Sequence, residues 1–215
     1  SVSYDITDAW TLDVEGRYQT DTLAAFAPNS ATGGVTIPSN VFGPAAGFYR
    51  YNDKLLEKKF TNFTPRVILS YDINPDVMAY ASYSKGVNPA FFNTSFLTQP
   101  ADRQAALLAQ GFRVQTDPEE VVNYELGLKG TRDWGRFTLA AFRSDVDDLI
   151  AFDSATFLPQ NIQRARLGGV EGSLTWQRGA WRLEQSLTWL DAADRSPGAQ
   201  RGRELPRRPS LSGRT

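Results

Sequence analysis

The chain has 215 residues, of which 41% are hydrophobic and 22% charged, a composition that excludes an intrinsically disordered protein. Its 23 basic and 24 acidic residues give a net charge of -1, so there is no overall attraction to nucleic acid. Cysteine and histidine are both missing, which excludes disulfides, thiolate chemistry, histidine-dependent triads and imidazole metal sites.

Neither a membrane helix nor a targeting leader is visible in the sequence. No stretch approaches the roughly 18 apolar residues that a membrane helix needs. No charged-then-apolar leader opens the chain, so we expect a signal peptide to be absent or to lie outside this sequence.

Alternation of apolar and polar residues predicts about nine strands, because successive side chains on a strand point to opposite faces. In chain order these cover residues 1–6, 10–19, 63–72, 77–86, 120–130, 136–146, 161–176 and 181–190, with a last strand beginning near 207. Strand 161–176 breaks its alternation at Gly168-Gly169, where we expect a β-bulge.

The predicted connections alternate in length. Short turns fall at 7–9, 74–76, 132–135 and 177–180, whereas the segments 21–61, 87–118, 147–160 and 191–206 are long. Outer-membrane β-barrels have short periplasmic turns and long extracellular loops. The pattern therefore predicts an all-β, antiparallel up-and-down transmembrane barrel, with short turns on one rim and long loops on the other. Within the second loop, Pro100 and Gly111 bracket a predicted short helix.

Aromatic residues recur eight positions apart on the apolar faces of three strands, as in the pairs Trp10 and Tyr18 or Trp181 and Trp189. Eight residues span roughly 26 Å of strand and, at a tilt near 40°, about 20 Å of membrane depth. That interval approaches the apolar band of an outer-membrane barrel, whose boundaries carry aromatic girdles. The predicted membrane-interface aromatics are Trp10, Tyr18, Phe63, Tyr71, Trp176, Trp181 and Trp189.

A soluble β-sandwich is the alternative left open by these strands. Its aromatic residues would sit at the ends of its core or form a platform for carbohydrate. Nine strands in lipid would leave two open edges, which the bilayer does not tolerate. On the membrane interpretation we therefore expect residues 1–215 to be part of a larger barrel.

Aromatic rings and cations share the two longest loops. Such side chains suit an aromatic, anionic metal chelate through stacking, cation–π contacts and charge-assisted hydrogen bonds. The candidate ligand-binding residues are Phe48, Tyr49, Arg50, Tyr51, Phe91, Phe92, Phe96, Arg103 and Arg113. The alternative is that these rings pack the loops against one another.

No catalytic constellation, resident cofactor or metal site is predicted. The carboxylates of "DVDDL" (145–149) match no calcium-loop spacing and are interpreted as a solvated strand end. The arginines after residue 195 suit lipopolysaccharide phosphates or a solvated loop rather than nucleic acid. Polar residues expected to face the inside of the barrel are Glu15, Arg17, Arg66, Asn123, Glu125, Lys129, Arg182 and Glu184.

Several stretches resemble TonB-dependent outer-membrane receptors. The strand exit "YASYSKGVNPAFF" (80–92) is similar to that family, and "DPEEVVNYELGLKG" (117–130) is the most specific match. "FTLAAFRSDVDDLI" (137–150) and "NIQRARLGGVEGSLTW" (161–176) resemble the two strands that follow it. The part through about residue 130 resembles iron-siderophore receptors, and the part from 137 onward resembles cobalamin receptors. Variation within one family explains this change, and a chimera of two receptors is the alternative.

The resemblance implies a bacterial outer-membrane importer. Such a receptor has a 22-stranded barrel plugged by an N-terminal domain, and the TonB complex supplies its energy through a short N-terminal segment. Plug and TonB-binding segment are not found in these residues. The implied partners are a ferric siderophore or similar metal chelate, the TonB complex, and outer-membrane lipid with lipopolysaccharide.

Overall fold

The computed structural model describes residues 1–152, 159–196, 201–205 and 208–214. Its strands are β1 (Val2–Asp5), β2 (Trp10–Phe26), β3 (Gly34–Ile37), β4 (Gly47–Arg50), β5 (Lys54–Asn74), β6 (Val77–Asn88), β7 (Glu119–Arg132), β8 (Gly135–Phe152), β9 (Pro159–Arg178), β10 (Trp181–Asp194) and β11 (Leu211–Arg214). One helix, α1 (Ala101–Ala109), follows a 3-10 turn at Thr94–Phe96. No helix in these ranges has both the length and the apolar character to cross a bilayer.

Nine of the strands form one antiparallel sheet in the order β1-β2-β5-β6-β7-β8-β9-β10-β11. Each strand pairs with its sequence neighbours, apart from the β3–β4 hairpin inserted in the loop between β2 and β5. The nine-stranded meander confirms the predicted fold class. The β-sandwich alternative is wrong, because the described strands form one nine-stranded sheet and the small β3–β4 hairpin instead of two large facing sheets.

Short turns join the strands at one rim, as predicted. Two residues connect β5 to β6, β7 to β8, and β9 to β10. At the opposite rim the strands run further than the alternation predicted, because they continue past the apolar band. The segment 147–160 is an example: β8 reaches Phe152 and β9 begins at Pro159, so most of this predicted loop is strand.

The expected bulge at Gly168-Gly169 is also wrong. Cα pairing between β9 and β10 is continuous from Ala165 to Arg178. A Cβ on Gly169 would stand 2.2 Å from the backbone oxygen of Trp189, so glycine permits close contact between regular strands here. The apolar Leu167 and Val170 simply lie on opposite faces.

The predicted helix is confirmed as α1. Pro100 is its N-cap residue, and Gln110 ends it. Gly111 follows with φ of +90°, a backbone conformation that glycine adopts without the cost other residues incur. The chain thereby reverses direction after α1, and Phe112 joins the buried cluster that includes Leu107 of the helix.

Candidate functional site

One face of the sheet is apolar across its whole width. Two residues that are partners across adjacent antiparallel strands point to the same face of the sheet. The strand register therefore identifies which residues belong to this apolar surface. Between β2 and β5 the partners on this face are Trp10 and Tyr71, Leu12 and Leu69, Val14 and Val67, and Tyr18 and Phe63. From β7 to β10 one row of partners continues across the sheet through Leu126, Ala141, Val170 and Trp189. Most of these side chains are exposed, for example Leu126 at 66%. Leu187, on the same face of β10, is 58% exposed. An exposed apolar surface of this extent requires an apolar partner or solvent.

The predicted interface aromatics all lie on that apolar face. The rings of Trp10 and Tyr71 are in contact beside the short-turn rim, with centroids 4.5 Å apart and ring planes tilted by 30°. Tyr18 and Phe63 are paired at the far end of the same two strands. Trp181 begins β10 with 76% exposure, Trp189 lies eight residues further along, and Trp176 pairs with Leu183. Two aromatic levels therefore bracket an apolar band, as in a membrane girdle.

The opposite face is polar and carries the residues expected inside a barrel. Arg66 Nη1 lies 3.9 Å from Glu15 Oε2, and the Arg182 guanidinium forms an ion pair with the Glu184 carboxylate. Tyr80 donates a hydrogen bond to Glu125, and the Lys129 ammonium lies 5.3 Å from the centroid of the Tyr80 ring. Ser144 donates to Asn123 at 2.6 Å. This wall is polar and its side chains are linked by hydrogen bonds and ion pairs, unlike the apolar face behind it.

The two longest loops pack together beyond the long-loop rim. Their shared core consists of Ala27, Ile37, Phe42, Leu55, Phe96, Leu97, Leu107 and Phe112. Phe96 lies between Phe42 and Phe112, with ring centroids 5.5 and 5.9 Å away. We call this group the loop core. It makes residues 27–55 and 96–112 one packed body rather than two independent loops.

A buried glutamine ties the two loops together. Gln104 of α1 is fully buried and accepts a hydrogen bond from Ser39 Oγ at 2.7 Å. Its Nε2 donates to the carbonyl oxygens of Leu97 and Gln99 at 3.0 and 2.9 Å. Sequence reasoning missed this residue. The signal available was the helical spacing of Gln104 and Leu107, which places both on the buried side of α1.

The candidate ligand-binding residues divide by exposure. Phe48, Arg50, Tyr51, Arg103 and Arg113 are exposed, whereas Tyr49, Phe91 and Phe92 are half-buried. Tyr49 packs against the loop core and donates a hydrogen bond to the carbonyl oxygen of Ala45 at 3.0 Å.

Phe96 is an exception among these candidates, since it is only 2% exposed. The structure places it in the loop core, as the packing interpretation predicts. The exposed set lies on two packed loops that one core holds in place.

Two of the three carboxylates of "DVDDL", Asp145 and Asp147, are paired with arginines. Asp145 accepts hydrogen bonds from Arg143 and Arg166, and Asp147 lies 3.1 Å from Arg164. Within the ranges that the structure describes, no group of three or more acidic side chains is arranged to hold a metal ion.

Comparison with known proteins identifies the fold. The family model for the TonB dependent receptor-like β-barrel matches residues 1–215. The vitamin B12 transporter BtuB of Photobacterium profundum is 25% identical over 142 residues, covering 63% of this chain and 22% of the transporter.

Two solved structures share the fold. The ferric yersiniabactin uptake receptor FyuA from Yersinia pestis superposes with a TM-score of 0.70 at 15% identity, over 98% of this chain and 29% of the receptor. The copper transporter OprC gives a TM-score of 0.66 at 17% identity, over 98% and 30% of the two chains. This chain thus spans less than a third of each of these proteins, and it belongs to the TonB-dependent receptor β-barrel family of outer-membrane proteins.

Proposed function

We propose that this chain forms the later part of the barrel of an outer-membrane active importer whose substrate is a ferric siderophore. The single observation that carries the proposal is the sheet itself, with an apolar face between two aromatic levels and a polar face behind it. In the described part of the chain the nine-stranded sheet is open, with β1 and β11 at its edges, and on this proposal strands outside this sheet close the barrel. The share of each relative that the chain covers supports the same conclusion.

Substrate capture is assigned to the long loops. Phe48, Arg50 and Tyr51 are exposed on or beside β4, and Arg103 and Arg113 are exposed on the second loop. Rings beside guanidinium groups match a chelate that is aromatic and anionic, because stacking and charge-assisted hydrogen bonds then act together. The loop core holds both sets in place, which lowers the entropy cost of binding.

Energy for release comes, on this proposal, from the TonB complex acting through a segment outside this sequence. Binding at the loops would be followed by movement of a plug within the polar inner wall. The expected result is that uptake of the labelled substrate stops in cells that lack TonB, whereas binding to the same cells persists.

Cobalamin is the second candidate substrate. The observation that favours it is the 25% identity to a vitamin B12 transporter, a closer sequence match than any structural neighbour described above. A corrin ring carrying a neutral or cationic cobalt centre has less need of guanidinium groups at the mouth than an anionic chelate has.

A binding titration separates the two. The full-length receptor that contains this chain is titrated with ferric catecholate and phenolate siderophores and with cobalamin, using tryptophan fluorescence. We expect saturable binding of a ferric chelate, weakened about tenfold in Arg50→Gln and Arg113→Gln because each loses a charge-assisted hydrogen bond. The charge-matched control Arg178→Gln lies at the short-turn rim and should bind normally. Saturable binding of cobalamin alone would replace the proposal with the second candidate.

A further inference from the structure

A cleft opens at the short-turn rim, between the turn that joins β7 to β8 and the turn that joins β9 to β10. It has a volume of about 1160 Å³ and is lined by residues 131–136, 174–179 and 182. We call it the rim cleft. Its charged and aromatic lining residues are Arg132, Asp133, Trp134, Arg136, Trp176, Arg178 and Arg182. Four guanidinium groups and one carboxylate therefore surround a space large enough for a ligand.

A close approach of the two turns forms the cleft. Gly135 begins β8 with φ of +144°, and a Cβ at this position would stand 1.9 Å from the carbonyl oxygen of Thr175. Only glycine lets β8 start this near to β9. The Gln177 backbone N–H then donates to the Trp134 carbonyl oxygen at 2.7 Å. This bond ties the first turn to the end of β9, so the lining is held in place before a ligand binds.

Two of the four arginines are engaged in ion pairs. Arg132 Nη1 lies 2.7 Å from Asp76 Oδ2, and the Arg182 guanidinium pairs with the Glu184 carboxylate. The two arginine side chains are nevertheless 41% and 60% exposed. Their partners therefore orient them, and their remaining N–H donors stay accessible from the cleft.

The other two arginines, Arg136 and Arg178, are available for an anion. Both are exposed, and neither forms an ion pair with any residue that the structure describes. A guanidinium group offers five N–H donors and binds a carboxylate through two parallel hydrogen bonds. Asp133 is the one acidic residue among the lining residues, so the cleft has a positive potential.

Charge is divided unequally along this rim. Residues 4–10 and 71–78, at the turns of β1, β2, β5 and β6, contain no arginine or lysine, and their acidic residues are Asp5, Asp8, Asp72 and Asp76. Residues 130–137 and 176–183 contain all four arginines of the rim cleft. Anionic lipid headgroups meet every strand, so a rim adapted to them alone would carry cations along its whole length. The concentration of arginine at two turns instead indicates a discrete anionic partner.

An aromatic ring lies beside these cations. Trp134 occupies the turn between β7 and β8, and its ring stacks on Phe137 with centroids 6.4 Å apart and planes 18° apart. Trp134 remains 39% exposed, so part of a braced indole faces solvent. The negative face of an aromatic ring attracts the polarised C–H groups of a sugar. An indole beside guanidinium groups therefore suits a carbohydrate that also carries carboxylates.

Because the chain belongs to a family of outer-membrane barrels, its short-turn rim faces the periplasm. We propose that the rim cleft binds a periplasmic glycan that carries free carboxylates, with a sugar ring on Trp134 and carboxylates on Arg136 and Arg178. Peptidoglycan has this chemistry, since its amino-sugar strands bear peptide stems with free carboxylates. Binding there would hold the barrel against the cell wall. The rim cleft lies opposite the loops, so its role does not depend on which substrate is imported.

Co-sedimentation of the full-length receptor with purified peptidoglycan sacculi tests the proposal. The receptor is kept in a neutral detergent and mixed with native sacculi or with sacculi whose carboxylates have been converted to amides. We expect about tenfold weaker binding to the amidated sacculi, because the charge-assisted hydrogen bonds to the arginines are lost. Equal binding to both would overturn the carboxylate assignment.

Three soluble competitors distinguish the anions. Disaccharide-peptide fragments of peptidoglycan should displace the receptor from native sacculi. Micelles of short-chain phosphatidylglycerol and polyglutamate, at the same concentration of negative charge, should not. Equal displacement by phosphatidylglycerol would overturn the proposal in favour of a lipid headgroup. Equal displacement by polyglutamate would overturn the role of the sugar and leave an acidic peptide as the partner.

Two variants test the two kinds of contact. Arg136→Gln removes an unpaired guanidinium and Trp134→Ala removes the indole; each should weaken binding to native sacculi about tenfold. The control for the first is Arg17→Gln, at an exposed arginine on the polar face of β2 away from the rim. The control for the second is Trp10→Ala, because Trp10 is 38% exposed beside the acidic half of the same rim. Gel migration of unheated and heated samples identifies folded variants, and full binding by both test variants would overturn the proposal.

Crossed variants separate failure of this site from failure of the proposed function. Arg178→Gln should weaken sacculus binding and leave chelate binding unchanged, whereas Arg50→Gln should do the reverse. Normal chelate binding together with sacculus binding that no rim-cleft variant weakens would reject the rim cleft alone. A receptor that binds sacculi through the rim cleft but binds no chelate would reject the proposed substrate and leave the rim cleft supported.

Discussion

Tyr80 on β6 lies directly over Gly127 on β7, its partner in the register. A Cβ on Gly127 would stand 2.4 Å from atoms of the Tyr80 ring. The absence of a side chain lets the ring lie flat on the neighbouring strand, from where its hydroxyl donates to Glu125. The pair thus fixes part of the polar wall that would face a plug.

Gly127→Ala should therefore destabilise the barrel. The methyl group would push the Tyr80 ring off the strand and weaken its hydrogen bond to Glu125, and overpacking of this kind costs about 1–3 kcal/mol. Thermal unfolding of the full-length receptor in detergent measures the loss. Gly86→Ala is the matched control on β6, because a Cβ there meets no atom within 4 Å. Equal unfolding temperatures for the two variants would contradict this explanation.

Adjacent residues of β10 test which face meets lipid. Leu187 lies on the apolar face and Ser186 on the polar face. Arginine on the lipid face of an outer-membrane barrel costs about 2–4 kcal/mol near the middle of the bilayer and less toward the interfaces, whereas positions facing the lumen tolerate charge. Leu187 is two residues from Trp189 at one aromatic level, so Leu187→Arg should lower the folded fraction by less than a mid-bilayer arginine would, and Ser186→Arg should leave that fraction unchanged. Gel migration of unheated and heated samples reports the fraction folded; a greater loss in Ser186→Arg would reverse the assignment of the faces.

Much of the sheet could be predicted from sequence because the bilayer imposes a strict pattern. Within the apolar band each strand must alternate, so Trp10 to Tyr18 and Trp181 to Trp189 identify both their strands and their outward faces. Turns at 74–76 and 177–180 are equally visible, since their residues interrupt the alternation. Beyond the band this constraint ends. The outer part of β8, residues 147–152, was therefore predicted as loop although it continues the strand.

The loop core could be predicted only in part. Helix α1 has a local signal, with Pro100 before it and Gly111 after it. Packing between loops depends on contacts such as that between Ser39 and Gln104, 65 residues apart, for which a single sequence offers no periodicity. Phe96 illustrates the consequence, because an aromatic residue in a loop has the same appearance in sequence whether it contacts a ligand or fills a core.

Gln104 should determine how tightly the two loops are held. Gln104→Leu keeps a similar volume but leaves Ser39 Oγ and two backbone carbonyl groups without their partner, at a cost of about 1–3 kcal/mol for an unsatisfied buried group. We expect faster hydrogen exchange across residues 94–109 of the intact receptor. Gln110→Leu, at the exposed end of α1, is the control. Unchanged exchange in Gln104→Leu would show that apolar packing alone holds the loops.

Phe96 and Phe48 separate packing from substrate contact. Phe96 is 2% exposed in the loop core, and Phe48 is 52% exposed on β4. Phe96→Ala should destabilise the loop core by about 3–5 kcal/mol through the cavity it leaves, and should increase protease cleavage within residues 87–118. Phe48→Ala should leave cleavage unchanged and weaken binding of the ferric chelate, since only a ring available to solvent can stack on a ligand.

The readout is therefore a pair of measurements on each variant, chelate affinity and loop proteolysis in the full-length receptor. Because disordered loops would also bind poorly, Phe96→Ala should lose affinity only together with protection from protease, and Phe96→Leu should restore most of both by refilling the cavity. Loss of affinity in Phe96→Ala with intact protection would instead assign Phe96 a direct contact with substrate. Full affinity in Phe48→Ala would remove β4 from the binding surface and leave Arg103 and Arg113 as its exposed cations.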